Sequence, residues 1–367
     1  MLILFAIALL AGAFTASAAL TALTRKLAPR AGLVARPSAD RYHRSVIPLG
    51  GGIALYVTLA AAMLGAAAVI RFLIAPGHLD WVARRVGFAP ADFLRRFDEL
   101  LVVLACATAL FLVGLWDDKR ALGPLVKLGA QVGVALVAAT FADIRAEFFI
   151  PSKAVTVGLS VFWIVLMINA FNFLDNMDGA AAGIAAITGA ILLTAAAFNG
   201  QIFVSALALT FIGALAGFLV FNFPPASIFM GDAGSLVVGF FVALLTLRTT
   251  YYQQTQSGPW YPVFMPLVAM AVPLYDFSSV TLLRLSQGKS PFVGDTQHFS
   301  HRLKRHGLTD RQTVLTLYLA TLCTGLGATF LYQVNLAGAI LIFVQTFLIV
   351  AIIAIFESTV HHGAKSK

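Results

Sequence analysis

Five aspartates in this chain stand where carboxylates are costly to hold. Asp117 and Asp118 are adjacent at the end of one apolar run. Asp175 and Asp178 lie between the apolar runs 155–168 and 184–198, with Asn169, Asn172 and Asn176 beside them. Asp232 opens a further apolar run. An ionised carboxylate at the edge of an apolar slab needs a partner, either a cation or a substrate. Spacing of i,i+3 would put Asp175 and Asp178 on one face if the segment is helical. A helix cap at Asp178, ahead of Gly179, fits the same residues. Adjacent carboxylates such as Asp117 and Asp118 repel unless a cation neutralises them, which suits a base or an acceptor-phosphate site. A charged helix end balanced by Lys119 and Arg120 fits them too.

Three further groups sit close to these acids. Lys127 and Gln131 follow at i,i+4, so Lys127 reads either as a phosphate contact or as a side chain snorkelling to the interface. In Asn222-Phe-Pro-Pro-Ala-Ser-Ile-Phe229-Met-Gly-Asp232-Ala-Gly-Ser235, Gly231 and Gly234 permit close backbone approach to a ligand. Phe229 beside a lone carboxylate suits a base-stacking platform next to a metal ligand, and equally an interfacial ring. The third group, Gly294-Asp-Thr-Gln-His298-Phe-Ser-His301-Arg302, is basic and histidine-bearing. His298, His301 and Arg302 suit a diphosphate clamp. No cysteine or acidic third and fourth ligand stands at a zinc spacing. The set contains no serine–histidine or cysteine–histidine arrangement. Oxygen donors with many cations call for Mg²⁺, with Mn²⁺ as its substitute, and for phosphate chemistry.

The elements that must carry these residues follow from composition. Of 367 residues, 60% are hydrophobic and 11% charged, and the mean hydropathy is +0.90. A soluble chain of this size cannot hide so much apolar surface, so the fold expected is all-α and polytopic. The apolar runs are continuous rather than alternating, against a β-barrel. Cys106 and Cys323 lie in apolar runs and imply no disulfide framework. The net charge of +9 reflects basic loops and anionic partners rather than nucleic acid.

Eleven spans are expected, at about 1–23, 49–70, 100–115, 124–141, 154–170, 179–198, 201–221, 233–248, 262–283, 313–333 and 336–356. The first resembles a signal peptide at Ala16-Ser17-Ala18. It lacks a basic leading region and is followed by Arg25, Lys26 and Arg30, so its retention is expected. Alternating loops then place seventeen of the 25 basic residues on one side, the cytoplasmic one. The N-terminus lies outside and the C-terminus inside. Every acidic and histidine-bearing motif falls on that cytoplasmic side, as one active face requires. The longest outer loop, Arg71–Glu99, mixes Trp81, Phe88 and Phe93 with five arginines and suits an amphipathic helix on the outer leaflet. No repeat or linker divides residues 1–367 into further domains.

Asp117-Asp118, Asn169-Ala-Phe-Asn-Phe-Leu-Asp-Asn-Met-Asp-Gly, Phe229-Met-Gly-Asp-Ala-Gly-Ser and the His298/His301 loop, in that order, resemble the polyprenyl-phosphate N-acetylhexosamine-1-phosphate transferases. These include phospho-MurNAc-pentapeptide translocase and the undecaprenyl-phosphate GlcNAc-1-phosphate transferases. The likeness covers roughly residues 20–310. Pro37, Arg41-Tyr-His43 and Pro48-Leu-Gly-Gly-Gly52 look like the GlcNAc-1-phosphate branch. Departures are Ala35, where that branch usually has aspartate, Asn176 in place of glycine, and Ser300 within the histidine cluster. The resemblance implies transfer of a sugar 1-phosphate from a UDP-N-acetylhexosamine to undecaprenyl phosphate, releasing UMP, with Mg²⁺. It implies Asp232 as the metal ligand and Asp117 and Asp118 as the base and acceptor-phosphate region. Asn172, Asp175, Asn222 and Phe229 fall on the nucleotide side, with Asp178 in the catalytic group. His298, His301 and Arg302 handle diphosphate or sugar, and Lys127, Arg41 and His43 bind substrate.

The implied location is the inner membrane, in contact with the bilayer and without nucleic acid; a homodimer is left open. A prenyltransferase acting on a prenyl diphosphate would need a second Asp-rich motif of the Asn172-x-x-Asp175-x-x-Asp178 type. A CDP-alcohol phosphotransferase would need an arginine soon after Gly179, where Ala180–Ala182 stand. A transporter would carry polar residues in mid-span and on both faces.

Overall fold

The structure, a computed structural model, describes residues 2–35, 46–145, 150–249, 251, 259–290 and 298–363; the side chains of His301 and 357–363 lie outside that description. Arg41 and His43 also fall outside the described residues. The fold is helical. In chain order the helices are α1 (Leu2–Leu27), α2 (Gly51–Val69), α3 (Asp80–Val86), α4 (Pro90–Arg95), α5 (Phe97–Lys119), α6 (Pro124–Phe141), α7 (Lys153–Leu174) and α8 (Ala180–Phe198). They continue with α9 (Ile202–Asn222), α10 (Asp232–Arg248), α11 (Met265–Ala269), α12 (Ala271–Ser286), α13 (Phe299–Arg305), α14 (Asp310–Phe330) and α15 (Leu336–Gly363). Two short strands, β1 (Val34–Ala35) and β2 (Ile47–Pro48), pair antiparallel across the first loop, Val34 opposite Pro48.

Among the described residues, nine helices are long and apolar enough to cross a membrane. The bent pair α11–α12, broken by 63° after Ala269, makes a tenth if it counts as one span. The expected eleventh span is α10, only 17 residues long, of which 14 are buried. It packs against α7, α5, α2 and α8 and forms the axis of the bundle. Its continuous apolar run Leu236–Leu245 therefore meets protein on all sides, as a helix that is hydrophobic all round must. By contrast α1 and α15 turn most of their apolar surface outward, as lipid-facing helices do.

Two helices run further than expected, and the difference matters for the site. α5 continues to Lys119 and α7 to Leu174, so Asp117, Asp118 and Asn172 stand on helix rather than in loops. Hydropathy falls at the first charge, but the helix persists because those side chains find partners elsewhere in the fold. The outer segment, expected to carry one amphipathic helix, folds as a π-turn at Ile70–Ile74 followed by the two short helices α3 and α4. Phe88 and Phe93 there pack against Phe203 of α9.

Close backbone approach sets the helix positions. On α9 a Cβ at Gly213 or Gly217 would lie 2.4 Å from the Leu10 carbonyl or 2.3 Å from that of Phe14, the small-xxx-small contact of membrane helices. At the site end, a Cβ on Gly52 of α2 would lie 2.3 Å from the Gly234 nitrogen of α10. Backbone cannot yield there as a flexible side chain would. Gly52→Ala should therefore cost about 1–3 kcal/mol by overpacking. Gly65→Ala, on the same helix with open space around it, should be neutral or stabilising by up to about 1 kcal/mol. Melting of the two variants in detergent checks the contrast.

Candidate active site

The site assembles around the first turn of α10. Its N-cap is Gly231, with φ of 70° and no side chain of its own to cap the helix. The cap comes from α5 instead. Asp118 Oδ1 accepts the Asp232 amide at 2.8 Å and Asp118 Oδ2 the Ala233 amide at 3.1 Å. Two of the orphan amides of a buried helix are thereby satisfied, and the carboxylate meets the positive end of the helix dipole. A Cβ at Gly231 would lie 2.6 Å from Asp118 Oδ2, and one at Gly114 2.4 Å from the Asp232 carbonyl. Glycine at both places lets α5 reach the turn. From the other side Phe229 accepts the Gly51 amide at 3.0 Å, Met230 accepts that of Gly52 at 2.9 Å, and the Phe229 amide donates to Pro48 at 2.9 Å. The loop before α10 is thus stitched to the entry of α2 through Phe229's backbone, and the Phe229 ring is half-buried.

With its amide held by Asp118, Asp232 turns its carboxylate toward α6 and α7. Lys127 Nζ lies 3.0 Å from Asp117 Oδ2 and also bonds Asp232 Oδ2. Asn172 Nδ2 donates to Asp232 Oδ1 at 3.1 Å and to Ser235 Oγ at 2.9 Å. Asp117 Oδ1 accepts the Leu122 amide at 2.6 Å, which ties the α5–α6 turn to the site. The ion-paired side chains keep only 16–24% of their exposure, so they have left most of their water and rely on one another. Gln131 lies a turn below, accepting from Asn169 at 2.6 Å.

Asp175 caps the C-terminus of α7. Because α7 ends at Leu174, the i,i+3 aspartates do not share a helical face: Asp175 faces the charge cluster while Asp178 Oδ2 accepts the Ala226 amide at 2.8 Å. Gly179, with φ of 73°, precedes α8 without a side-chain cap, so Asp178 does not cap that helix. Asn222 is 2% exposed and spends its amide on the scaffold. Its Oδ1 accepts from the Gly179 amide at 3.0 Å and its Nδ2 donates to the Ile228 carbonyl at 2.9 Å. Its amide thereby ties the turn before α8 to the loop before α10. Tyr318 Oη donates to the Gly179 carbonyl at 2.6 Å and Arg311 Nε to that of Pro224 at 2.9 Å, so α14 braces the same turn.

The basic loop docks beside α7. His298 is 5% exposed, its ring edge-on to Phe173 at 5.5 Å between centroids, and the Arg284 guanidinium lies 5.0 Å over Phe173. Ser300 Oγ donates to Asn176 Oδ1 at 2.5 Å, and Arg302 donates to Ser279 Oγ at 2.6 Å. The structure therefore gathers Asp117, Asp118, Lys127, Asn172, Asp175 and Asp232 into one cluster, with His298 and Arg302 on its flank. Asp178 and Asn222 stand in the wall. Sequence reasoning missed Asp276, Arg284 and Tyr318. The available signal for the first two was charge inside an apolar helix; for Tyr318 there was none.

Among the described residues no three acidic, histidine or cysteine side chains converge closely enough to hold a metal by themselves. The donor set nevertheless suits a hard divalent cation. Two carboxylate oxygens, one from Asp117 and one from Asp232, meet at a single positive atom, Lys127 Nζ. Mg²⁺ takes one or two carboxylates and completes its shell with phosphate and water.

Burial pushes the Asp175 carboxyl well above the usual range, and the neighbouring Asp232, Asp118 and Asp178 push it further. A carboxyl raised in the folded state contributes stability that is complete below its unfolded value and is lost as pH rises through the folded one. In metal-free buffer the melting temperature of the wild type should fall as pH rises from the acid range toward neutrality. Asp175→Asn, uncharged throughout, should flatten that fall and melt higher than wild type at neutral pH, as paired pH–melting curves would show.

Comparison with known proteins shows what this chain is similar to. The family model for glycosyl transferase family 4 matches residues 100–250, the stretch that supplies Asp117, Asp118, Lys127, Asn172, Asp175, Asn222 and Asp232. A Bacillus subtilis (strain 168) protein named "Probable undecaprenyl-phosphate N-acetylglucosaminyl 1-phosphate transferase" is 28% identical over 308 residues, 82% of this chain and 77% of that protein. The undecaprenyl-phosphate alpha-N-acetylglucosaminyl 1-phosphate transferase of Escherichia coli (strain K12) is 29% identical over 308 residues, 81% of this chain and 76% of its own. The Yersinia pestis protein of that name is 27% identical over 353 residues, 92% of this chain and 86% of its own. The matched segment holds the carboxylate cluster and the relatives align along most of the chain, so this multi-pass membrane protein is similar to glycosyl transferase family 4 in the part that builds the site.

Proposed function

We propose that this protein transfers N-acetylglucosamine 1-phosphate from UDP-N-acetylglucosamine to undecaprenyl phosphate, at the cytoplasmic face of the bacterial inner membrane, releasing UMP. The observation that carries the reading is the convergence of Asp117, Asp232 and Lys127 at one end of a helical bundle, beside a histidine- and arginine-bearing helix. The relatives' names supply the acceptor and the sugar. An oxygen of the lipid phosphate attacks the sugar-bearing phosphorus of the donor. The bond from that phosphorus to the UMP oxygen breaks, and UMP leaves with the electron pair.

Each residue has a part in this. Asp117 takes any proton remaining on the acceptor phosphate, whose second pKa lies near 6. Lys127 holds Asp117 and Asp232 in register and offsets charge on the phosphates. His298 and Arg302 approach the diphosphate from α13, stabilising charge as UMP departs. Phe229 offers a ring for the uracil, and Asn172 holds the Asp232 carboxylate in place. Asp118 acts as a positioning residue, since both of its oxygens are spent on the turn that carries Asp232. Asp232 and Asp117 would hold Mg²⁺ together with the donor diphosphate, and the ion would supply charge neutralisation on the transferred phosphoryl group.

Purified protein given UDP-N-acetylglucosamine, undecaprenyl phosphate and Mg²⁺ should release UMP, and EDTA should stop it. Asp232→Asn should lower turnover by about 100-fold or more, roughly 2.7 kcal/mol of transition-state stabilisation, with melting close to wild type. Near-normal UMP release by that variant would remove Asp232 from the metal assignment.

The positive-inside reading predicts sidedness. In a background without Cys106 and Cys323, single cysteines at the exposed positions Arg120 and Lys289 should be labelled only by reagents that reach the cytoplasm. A cysteine at the exposed His78 should react with an impermeant reagent from outside. The reverse pattern would invert the orientation proposed.

A further inference from the structure

Asp276 lies in the second turn of α12, flanked by Tyr275 and Phe277 and only 1% exposed. A carboxylate that has left water to this extent must be fully partnered. Both of its oxygens are engaged by one short segment. Oδ2 lies 3.1 Å from His298 Nδ1, and Oδ1 accepts the Phe299 amide at 2.7 Å. One turn further along α12, Ser279 accepts from Arg302 at 2.6 Å. Asp276 and Ser279 are i,i+3 neighbours on one helical face, and His298 and Arg302 are a turn apart at the start of α13. One face of α12 therefore grips the two residues that the proposed mechanism asks to meet the donor diphosphate.

We propose that Asp276 is the positioning residue of His298: it fixes the imidazole through Nδ1, so that the ring's contact with the donor diphosphate is made through Nε2. The inference rests on the phosphoglycosyl transfer proposed above. An ionised carboxylate only accepts hydrogen bonds, so the Nδ1 it faces carries the hydrogen. This sets the tautomer and orientation of the ring in the way a buried carboxylate orients a catalytic or metal-bound histidine. The Phe299 amide makes the arrangement two-point. With both oxygens committed, the carboxylate cannot rotate, and the imidazole is held from one side while the edge-on contact with Phe173 limits it from another. Phe173 is next in sequence to Asn172, the residue that holds Asp232, so the orientation of His298 is referenced to the carboxylate cluster through α7.

A carboxylate that merely pegs α13 to α12 would show the same contacts, and a double-mutant cycle separates the two roles. Asp276→Asn and Asp276→Ser should each lower kcat about tenfold or more while KM for UDP-N-acetylglucosamine stays within about threefold. In a His298→Ala background the same changes should cost less than about twofold, because the group through which Asp276 acts is already gone. Equal losses in both backgrounds, or no loss in the wild-type background, overturn the proposal. Failure of both Asp276 variants to yield folded protein also overturns it, in favour of a purely structural carboxylate. A second measurement needs no turnover: carbethoxylation of His298 by diethyl pyrocarbonate, followed by peptide mass spectrometry, should be several-fold faster in Asp276→Asn than in wild type. Absence of UMP release from the wild-type protein would sink the functional reading, whereas unchanged His298 labelling would sink the Asp276 pairing whatever the protein's activity.

Discussion

The contact on which the rest of the site depends is Asp118 against the first two amides of α10. A helix end buried without water must find acceptors for its amides, and α10 is buried along nearly its whole length. Asp118 provides both acceptors from a helix more than a hundred residues earlier. Once that contact forms, the end of α5 and the start of α10 become one unit. The positive φ of Gly231 and the missing side chains at Gly52, Gly114 and Gly234 are what its close packing demands. Asp232 is then directed away from its own helix start, into the space shared with Asp117, Lys127 and Asn172. Its carboxylate does not cap its own helix but is held by Lys127 and Asn172.

The charge balance follows from the same packing. Asp117, Asp118, Asp175 and Asp232 crowd one end of the bundle, and Lys127 is the cation bonded between two of them. Such a cluster is tolerable only with additional positive charge or with a proton on one member, and the upward displacement of Asp175 shows the strain the group is under. A membrane protein gains little by placing acids here for stability alone, since apolar residues of like volume would cost less. The cluster's oxygen donors suit a hard divalent cation, and α12 and α13 bring Arg284, His298 and Arg302 to the same side of α7. The two halves meet at Phe173, which touches both His298 and Arg284 from a helix whose neighbouring asparagine holds Asp232.

Much of this was legible in the chain as written. Helical class, membrane character and approximate span positions follow from long continuous apolar runs, because a bilayer and a 1.5 Å rise per residue leave few alternatives. The motifs holding Asp117, Asp118, Asn172, Asp175, Asp232 and His298 stood out because polar side chains at the edges of such runs are costly and therefore few. What sequence could not assign was the partner of each. Asp118 and Asp232 read as equivalent acids, yet one caps a helix and the other faces the site. Asp175 and Asp178 read as a pair, yet the end of α7 at Leu174 sends them to different partners. Asn222 read as a ligand contact and is a buried brace. Asp276 went unnoticed within an apolar run and proves to hold His298. Local spacing determines which residues lie near an element's end, since that depends only on the period of the chain. Which of two adjacent carboxylates meets an amide, a lysine or an imidazole depends on how closely distant backbones approach, and that was decided only when glycine-lined helices packed around α10.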